Sequence, residues 1–202
     1  MSDEVDKSRR NFLTAATAGM GAVGVAFTAV PFVSSWAPSE RAKALGAPVE
    51  VDVSKLEPGA MMTILWRGSP VYIVHRTKEM LDQLTSNDGN LRDPESQESD
   101  QPAYARNEAR AREPQYLVLI GTCTHLGCLP KNRFEPGTVD IDVPGGWPGG
   151  FFCPCHGSKF DLAGRVFKDV PAPLNLRVPP YSFKTASTLV VGLDETDAKG
   201  AA

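Results

Sequence analysis

Two short runs concentrate the reactive side chains of this chain: "CTHLGC", Cys123–Cys128, and "CPCHGSKF", Cys153–Phe160. They hold all four cysteines and two of the three histidines. Structural disulfides alone would need no histidine beside each pair, so a metal centre is the first reading. The candidate ligands are Cys123, His125, Cys128, Cys153, Cys155 and His156. Cys-x-His puts two donors on one tight loop, and Cys-x-x-His does the same on the other. That sets Cys123 with His125 and Cys153 with His156, and leaves Cys128 and Cys155 to clasp the loops by a disulfide. Two thiolates and two imidazoles suit tetrahedral zinc, or a [2Fe–2S] cluster whose irons are held separately by a cysteine pair and a histidine pair. The C-x-C-H spacing does not fit haem attachment or a thioredoxin-like pair, and no third group completes a thiol protease.

These boxes resemble the two signature boxes of the Rieske iron–sulfur proteins. With "PAP" at 171–173, the extra cysteine pair and an apolar N-terminal run, the chain resembles in particular the Rieske subunits of bacterial ubiquinol–cytochrome c reductases, the cytochrome bc1 complexes. The resemblance implies one [2Fe–2S] cluster per subunit, ligated by Cys123, His125, Cys153 and His156, and a disulfide between Cys128 and Cys155. It implies a mostly β fold of three stacked antiparallel sheets, with a small cluster-binding subdomain at about 121–173 and one transmembrane helix in front. The implied activity is that of a quinol–cytochrome c reductase subunit. The first electron of quinol oxidation passes through this chain to cytochrome c1, the second goes to cytochrome b, and protons are released. His156 would face the quinol as the catalytic imidazole, Leu126, Pro171 and Pro173 would rim the quinone site, and the Ser158 hydroxyl would donate a hydrogen bond to the cluster. Cytochrome b, cytochrome c1 and quinol are the expected partners, in a dimeric multisubunit complex. Many relatives carry Tyr where this chain has Phe160, so one hydrogen-bond donor is missing here. Two other functions compete: the Rieske subunit of a periplasmic arsenite oxidase, and a membrane-anchored zinc-binding domain.

The elements around the boxes must position them. The chain has 202 residues and a formal charge of -3, enough for one domain with a core plus an attached segment, and its acidity argues against a nucleic-acid surface. Residues 12–33 carry no formal charge; a helix of that length reaches about 33 Å, enough to cross a bilayer. Ahead of it, "SRRNFL" resembles a twin-arginine export signal, which would carry the domain across the bacterial inner membrane already folded. The expected layout is a cytoplasmic tail at 1–11, a single span at 12–33, a flexible linker at 34–48 and a periplasmic domain at 49–202. An oxidising periplasm permits the disulfide. "VEVDVSKL", "MMTILWRG", "PVYIVHRT" and "QYLVLIG" read as strands, as do "YSFKT" and "TLVVGLD". "NLRVP" reads as a further closing strand. Residues 86–113 hold eleven charges and almost no large apolar side chain, and read as a solvated loop.

Overall fold

The structure, a computed structural model, describes residues 6–137 and 146–194. The chain divides into two units, Met1–Ala44 and Leu45–Ala202.

In the first unit, helix α1 runs from Lys7 to Ser34, capped by the Asp6 carboxylate, which accepts from the N–H groups of Ser8 and Arg9. None of its residues is buried, and its best window has a mean hydropathy of 1.6. The hydroxyls of its uncharged run are satisfied within the helix: Thr14 and Thr17 donate to the carbonyls of Arg10 and Leu13, and Thr28 to Gly24. Such a helix presents no unpaired donor to a hydrocarbon environment. Arg9 and Arg10 lie in its first turns, so it begins before the uncharged run does. A second helix, α2, Glu40–Gly46, occupies part of the segment expected to be a flexible linker. Its residues, Glu-Arg-Ala-Lys-Ala-Leu, are strong helix formers, and Lys43 pairs with Glu40 one turn away.

The second unit holds three antiparallel sheets of three strands each. Strands β2 (Met61–Trp66), β3 (Ser69–His75) and β4 (Tyr116–Ile120) form the first, in that order. β1 (Val49–Asp52) pairs with β9 (Thr188–Val191), and β9 with β8 (Tyr181–Thr185). The third sheet is built from β5 (Lys131–Arg133), β6 (Gly150–Phe152) and β7 (Lys159–Phe160), and carries the two cysteine boxes on its connections. One apolar core joins all three sheets, with Val51, Ile73, Leu117, Phe151, Phe160, Tyr181 and Leu189 among its members. The "NLRVP" run forms no strand; it crosses in irregular backbone before β8.

Residues 86–113 are not a solvated loop. After the short helix α3 (Lys78–Asp82), this segment runs through two turns of 3-10 helix, and Leu91, Asp93, Ser96, Ser99, Gln101, Ala105 and Arg110 are all buried. Its charges found partners that local composition does not display. Arg110, fully buried, donates to the carbonyls of Ala163, Gly164 and Leu176 and to the side chain of Gln101. Arg165, from the turn after β7, reaches back to Asp161, to Asp88 and to the Leu84 carbonyl. Residues 195–202 lie outside the described residues, as do the first five residues of the N-terminal tail.

Candidate metal centre

Each cysteine box is a tight loop closed by the same pair of backbone hydrogen bonds. In the first, the Cys123 N–H donates to the Cys128 carbonyl and the Gly127 N–H to the Cys123 carbonyl. In the second, the Cys153 N–H donates to the Ser158 carbonyl and the Gly157 N–H to the Cys153 carbonyl. Both glycines lie four residues after the first cysteine and have left-handed backbones, φ 80° at Gly127 and 74° at Gly157. A side chain at either would meet nothing within 4 Å, so the turn requires their conformational freedom and not their small size.

The loops bring together four donors. Cys123 and Cys153 are free thiols, both buried. Burial pushes the Cys123 thiol up; the His125 backbone N–H and, more weakly, the Ser158 hydroxyl oppose that rise, while the neighbouring Cys153 adds to it. The His125 and His156 rings lie 4.8 Å apart at an interplanar angle of 84°. His125 Nδ1 is buried and has no hydrogen-bond partner, while His156 is exposed. A buried imidazole nitrogen left unpartnered, on the same loop as a free buried thiol, has the chemistry of a metal ligand. Soft thiolates with imidazoles fit a [2Fe–2S] cluster of the Rieske type.

Cys128 and Cys155 form a disulfide, with Cα atoms 6.6 Å apart and a sequence separation of 27. The Sγ atoms of Cys128, Cys153 and Cys155 lie within 4.8 Å of one another, but two of these sulfurs are bonded to each other and offer no thiolate. The trio is therefore a clasp beside a ligand, not a ligand set.

A third loop completes the site. The Ala172 N–H donates to Ser158 Oγ at 3.1 Å, and Thr124 Oγ1 donates to the Leu174 carbonyl at 2.6 Å, so residues 171–174 are tied to both boxes. Ser158 and Ala172 are fully buried, whereas Pro171 and Pro173 are exposed. Leu126 is 71% exposed and Leu129 54%, which leaves the loop surfaces around His156 apolar. Underneath, Tyr72 rises from β3. Its hydroxyl donates to the Pro130 carbonyl at 3.0 Å, and its ring stacks on Phe151 with centroids 5.9 Å apart. Gly121 packs flat on that ring, where a Cβ would stand 2.4 Å from it. One side chain thus braces the entry to both boxes and the exit from the first.

Sequence patterns pointed to the four candidate ligands and the clasp, and the family resemblance to Ser158. They did not point to Tyr72, Thr124 or Asn175; for the last, the only trace was one amide between two leucines. His75, the histidine outside the boxes, lies 2.7 Å from the Leu56 carbonyl through Nδ1 and stacks on Tyr116, a packing role.

Known proteins agree with this geometry. Residues 48–181 match the family model "Rieske [2Fe-2S] domain", and residues 1–39 match "Ubiquitinol-cytochrome C reductase Fe-S subunit TAT signal". The ubiquinol-cytochrome c reductase iron-sulfur subunit of Allochromatium vinosum is 54% identical over 194 residues, 96% of this chain and 93% of the relative. That of Rhodospirillum rubrum is 44% identical over 188 residues, 93% of each. A chain of the solved structure "Hyperthermophilic respiratory Complex III" aligns at 26% identity and a TM-score of 0.46, covering 87% of this chain and 98% of that one, too loose a likeness to carry argument. Paired Cys/His loops, a clasp between them and a domain match over most of its length lead to one conclusion: the chain belongs to the Rieske [2Fe–2S] family, among the iron–sulfur subunits of ubiquinol–cytochrome c reductases.

Proposed function

We infer that this chain is the iron–sulfur subunit of a ubiquinol–cytochrome c reductase, accepting the first electron of quinol oxidation and passing it to cytochrome c1. The observation that carries the reading is the donor set: two free buried thiols, a buried His125 Nδ1 with no partner, and an exposed His156 beside it. Cys123, Cys153, His125 and His156 would hold the cluster. When bound, a [2Fe–2S] cluster supplies a one-electron acceptor, and imidazole ligands in place of thiolates raise its potential.

The chain's own residues do the rest. His156 is exposed, and its ring nitrogen not used for the metal would accept a hydrogen bond from a quinol hydroxyl and then the proton. Leu126, Pro171 and Pro173 surround it with apolar surface that would exclude water when the tip meets cytochrome b. Ser158 stands behind the ligands as a hydroxyl donor. The partners would be cytochrome b, which takes the second electron, and cytochrome c1, in a dimeric complex. Helix α1 would anchor the subunit in the bacterial inner membrane, and the twin-arginine run would place the domain in the periplasm, with the 34–48 segment as the connection between them.

The relatives carry the reductase name, which disfavours the arsenite oxidase and zinc readings. The decisive experiment is purification of the full-length chain from its native membranes. Copurification with a dihaem cytochrome b, and a Rieske-type EPR signal on reduction, are expected. A colourless chain with stoichiometric zinc, or a molybdenum-containing partner, would overturn the reading.

A further inference from the structure

Asn175 is fully buried at the end of the third loop, and its backbone N–H and both polar atoms of its side chain are engaged. Its N–H donates to Ser99 Oγ at 3.1 Å, and its Nδ2 to the Asp93 carbonyl and to Ser96 Oγ, both at 2.9 Å. Its Oδ1 accepts from the Val166 N–H at 2.7 Å. The Ser99 hydroxyl in turn donates to Asp93 Oδ2 at 2.8 Å, and the same carboxylate accepts from the N–H groups of Gln97 and Glu98. A charged segment that composition assigns to solvent therefore builds a polar core directly under the loop that touches Ser158.

The link to Ser158 is short. Asn175 follows Ala172 by three residues, and the Ala172 N–H occupies one lone pair of Ser158 Oγ. A serine hydroxyl has a single proton. With the oxygen accepting from Ala172, that proton is free to point at the Cys123 sulfur, which the Ser158 hydroxyl reaches. A donor aimed at a ligand sulfur stabilises the reduced, more negative cluster and raises its potential. Thr124 holds Leu174 from the first box, but among the described residues only the segment 86–113 supplies a side chain that holds the backbone of Asn175.

We propose that Ser99 and Asn175 are positioning residues for the metal centre: through Ala172 they set the direction of the Ser158 hydroxyl, and so the reduction potential. The inference rests on the cluster reading given above. Its consequence is that residues 86–113, far from the boxes in sequence, tune the site.

Redox titration of the cluster-loaded, full-length chain, followed by EPR of the reduced state, tests this. Ser99→Ala removes the acceptor for the Asn175 N–H and should lower the equilibrium constant for reduction by up to about fivefold, one hydrogen bond's worth, or about 40 mV for one electron. Ser99→Thr, which keeps the hydroxyl, should restore the wild-type potential. In a Ser158→Ala background the Ser99→Ala change should produce no further shift, because its route is gone. An unchanged potential with only a lower melting temperature in Ser99→Ala would overturn the proposal, as would the same shift persisting without Ser158. If Ser99→Ala fails to load, Asn175→Leu, which keeps the volume, adds no charge and loses the amide donors, must lower the potential. Absence of a Rieske-type signal from the wild type itself would instead overturn the cluster reading, and the inference with it.

Discussion

Phe160 is wholly buried, registered opposite Phe151 across β6 and β7, and its ring belongs to the core that backs the second box. A phenylalanine there contributes packing and no hydrogen bond. Restoring the hydroxyl that many relatives carry should therefore change the electronics more than the fold: Phe160→Tyr is expected to raise the midpoint potential by on the order of tens of millivolts. Voltammetry of both proteins decides it, and an unchanged or lower value in the variant would sink the idea. Residues of this kind are readable from sequence because their chemistry is local. Cys123, His125, Cys153 and His156 announce themselves by type and spacing inside two boxes. Asp93, Ser99 and Asn175 do not, because the bond from Asn175 to Asp93 spans 82 positions and no short window contains both partners. Arg110 misled for a related reason: its charge suggests water, and only the folded chain reveals the carbonyls of Ala163, Gly164 and Leu176 around it.

At the level of elements, the two boxes are one design used twice, and their glycines are held by different constraints from those in the strands beneath. Gly127 needs only a left-handed backbone, so Gly127→Ala is expected to cost about 1–2 kcal/mol. Gly150, at the start of β6, has φ 141°, and a Cβ there would stand 2.0 Å from the Phe160 carbonyl oxygen. Gly150→Ala must push β7 off β6, at a cost of about 3 kcal/mol or more. Thermal unfolding of the two variants should separate them in that order; equal losses would mean the close approach of β6 to β7 is not needed. Strands β1 to β4, β8 and β9 were visible as alternating or apolar runs; β5, β6 and β7, two or three residues each, were not, and the grouping into three sheets was visible only through the family likeness. α2 hid inside a polar stretch because its stability is local and its residues bury nothing.

For the whole molecule, three arginines, Arg76, Arg110 and Arg165, sit inside a domain that has Asp161 and Asp93 as its buried acids. Burial pulls Arg76 and Arg110 down to about 10, still far enough above neutrality for both to remain cations. Tyr181 moves the other way. It is fully buried, its oxygen accepts from the Arg112 N–H, and burial pushes its hydroxyl above the ordinary tyrosine value of 10.0. Below that value the hydroxyl is protonated in folded and unfolded chains alike, and its stabilising effect is complete. As pH climbs past it the unfolded chain ionises first, and the fold loses stability. The arginines contribute with the opposite sign, so the informative quantity is a difference. Wild-type stability should fall relative to that of Tyr181→Phe as pH rises from about 9 to about 11. Denaturant unfolding at several pH values checks this, and parallel curves would rule it out.

The clasp has a further consequence for the history of a single molecule. Cys153 Sγ lies within 4.8 Å of both sulfurs of the Cys128–Cys155 bond, and a thiolate at that range is an attacking group for disulfide exchange. With Cys153 ligating a metal, as proposed above, that attack would be blocked. Once the metal leaves, Cys153 can displace Cys128 and bond to Cys155, expelling Cys128 as the new thiolate and dismantling the loop that metal would need on return. Such an exchange is reversible, so it would compete with reloading of the metal and not forbid it.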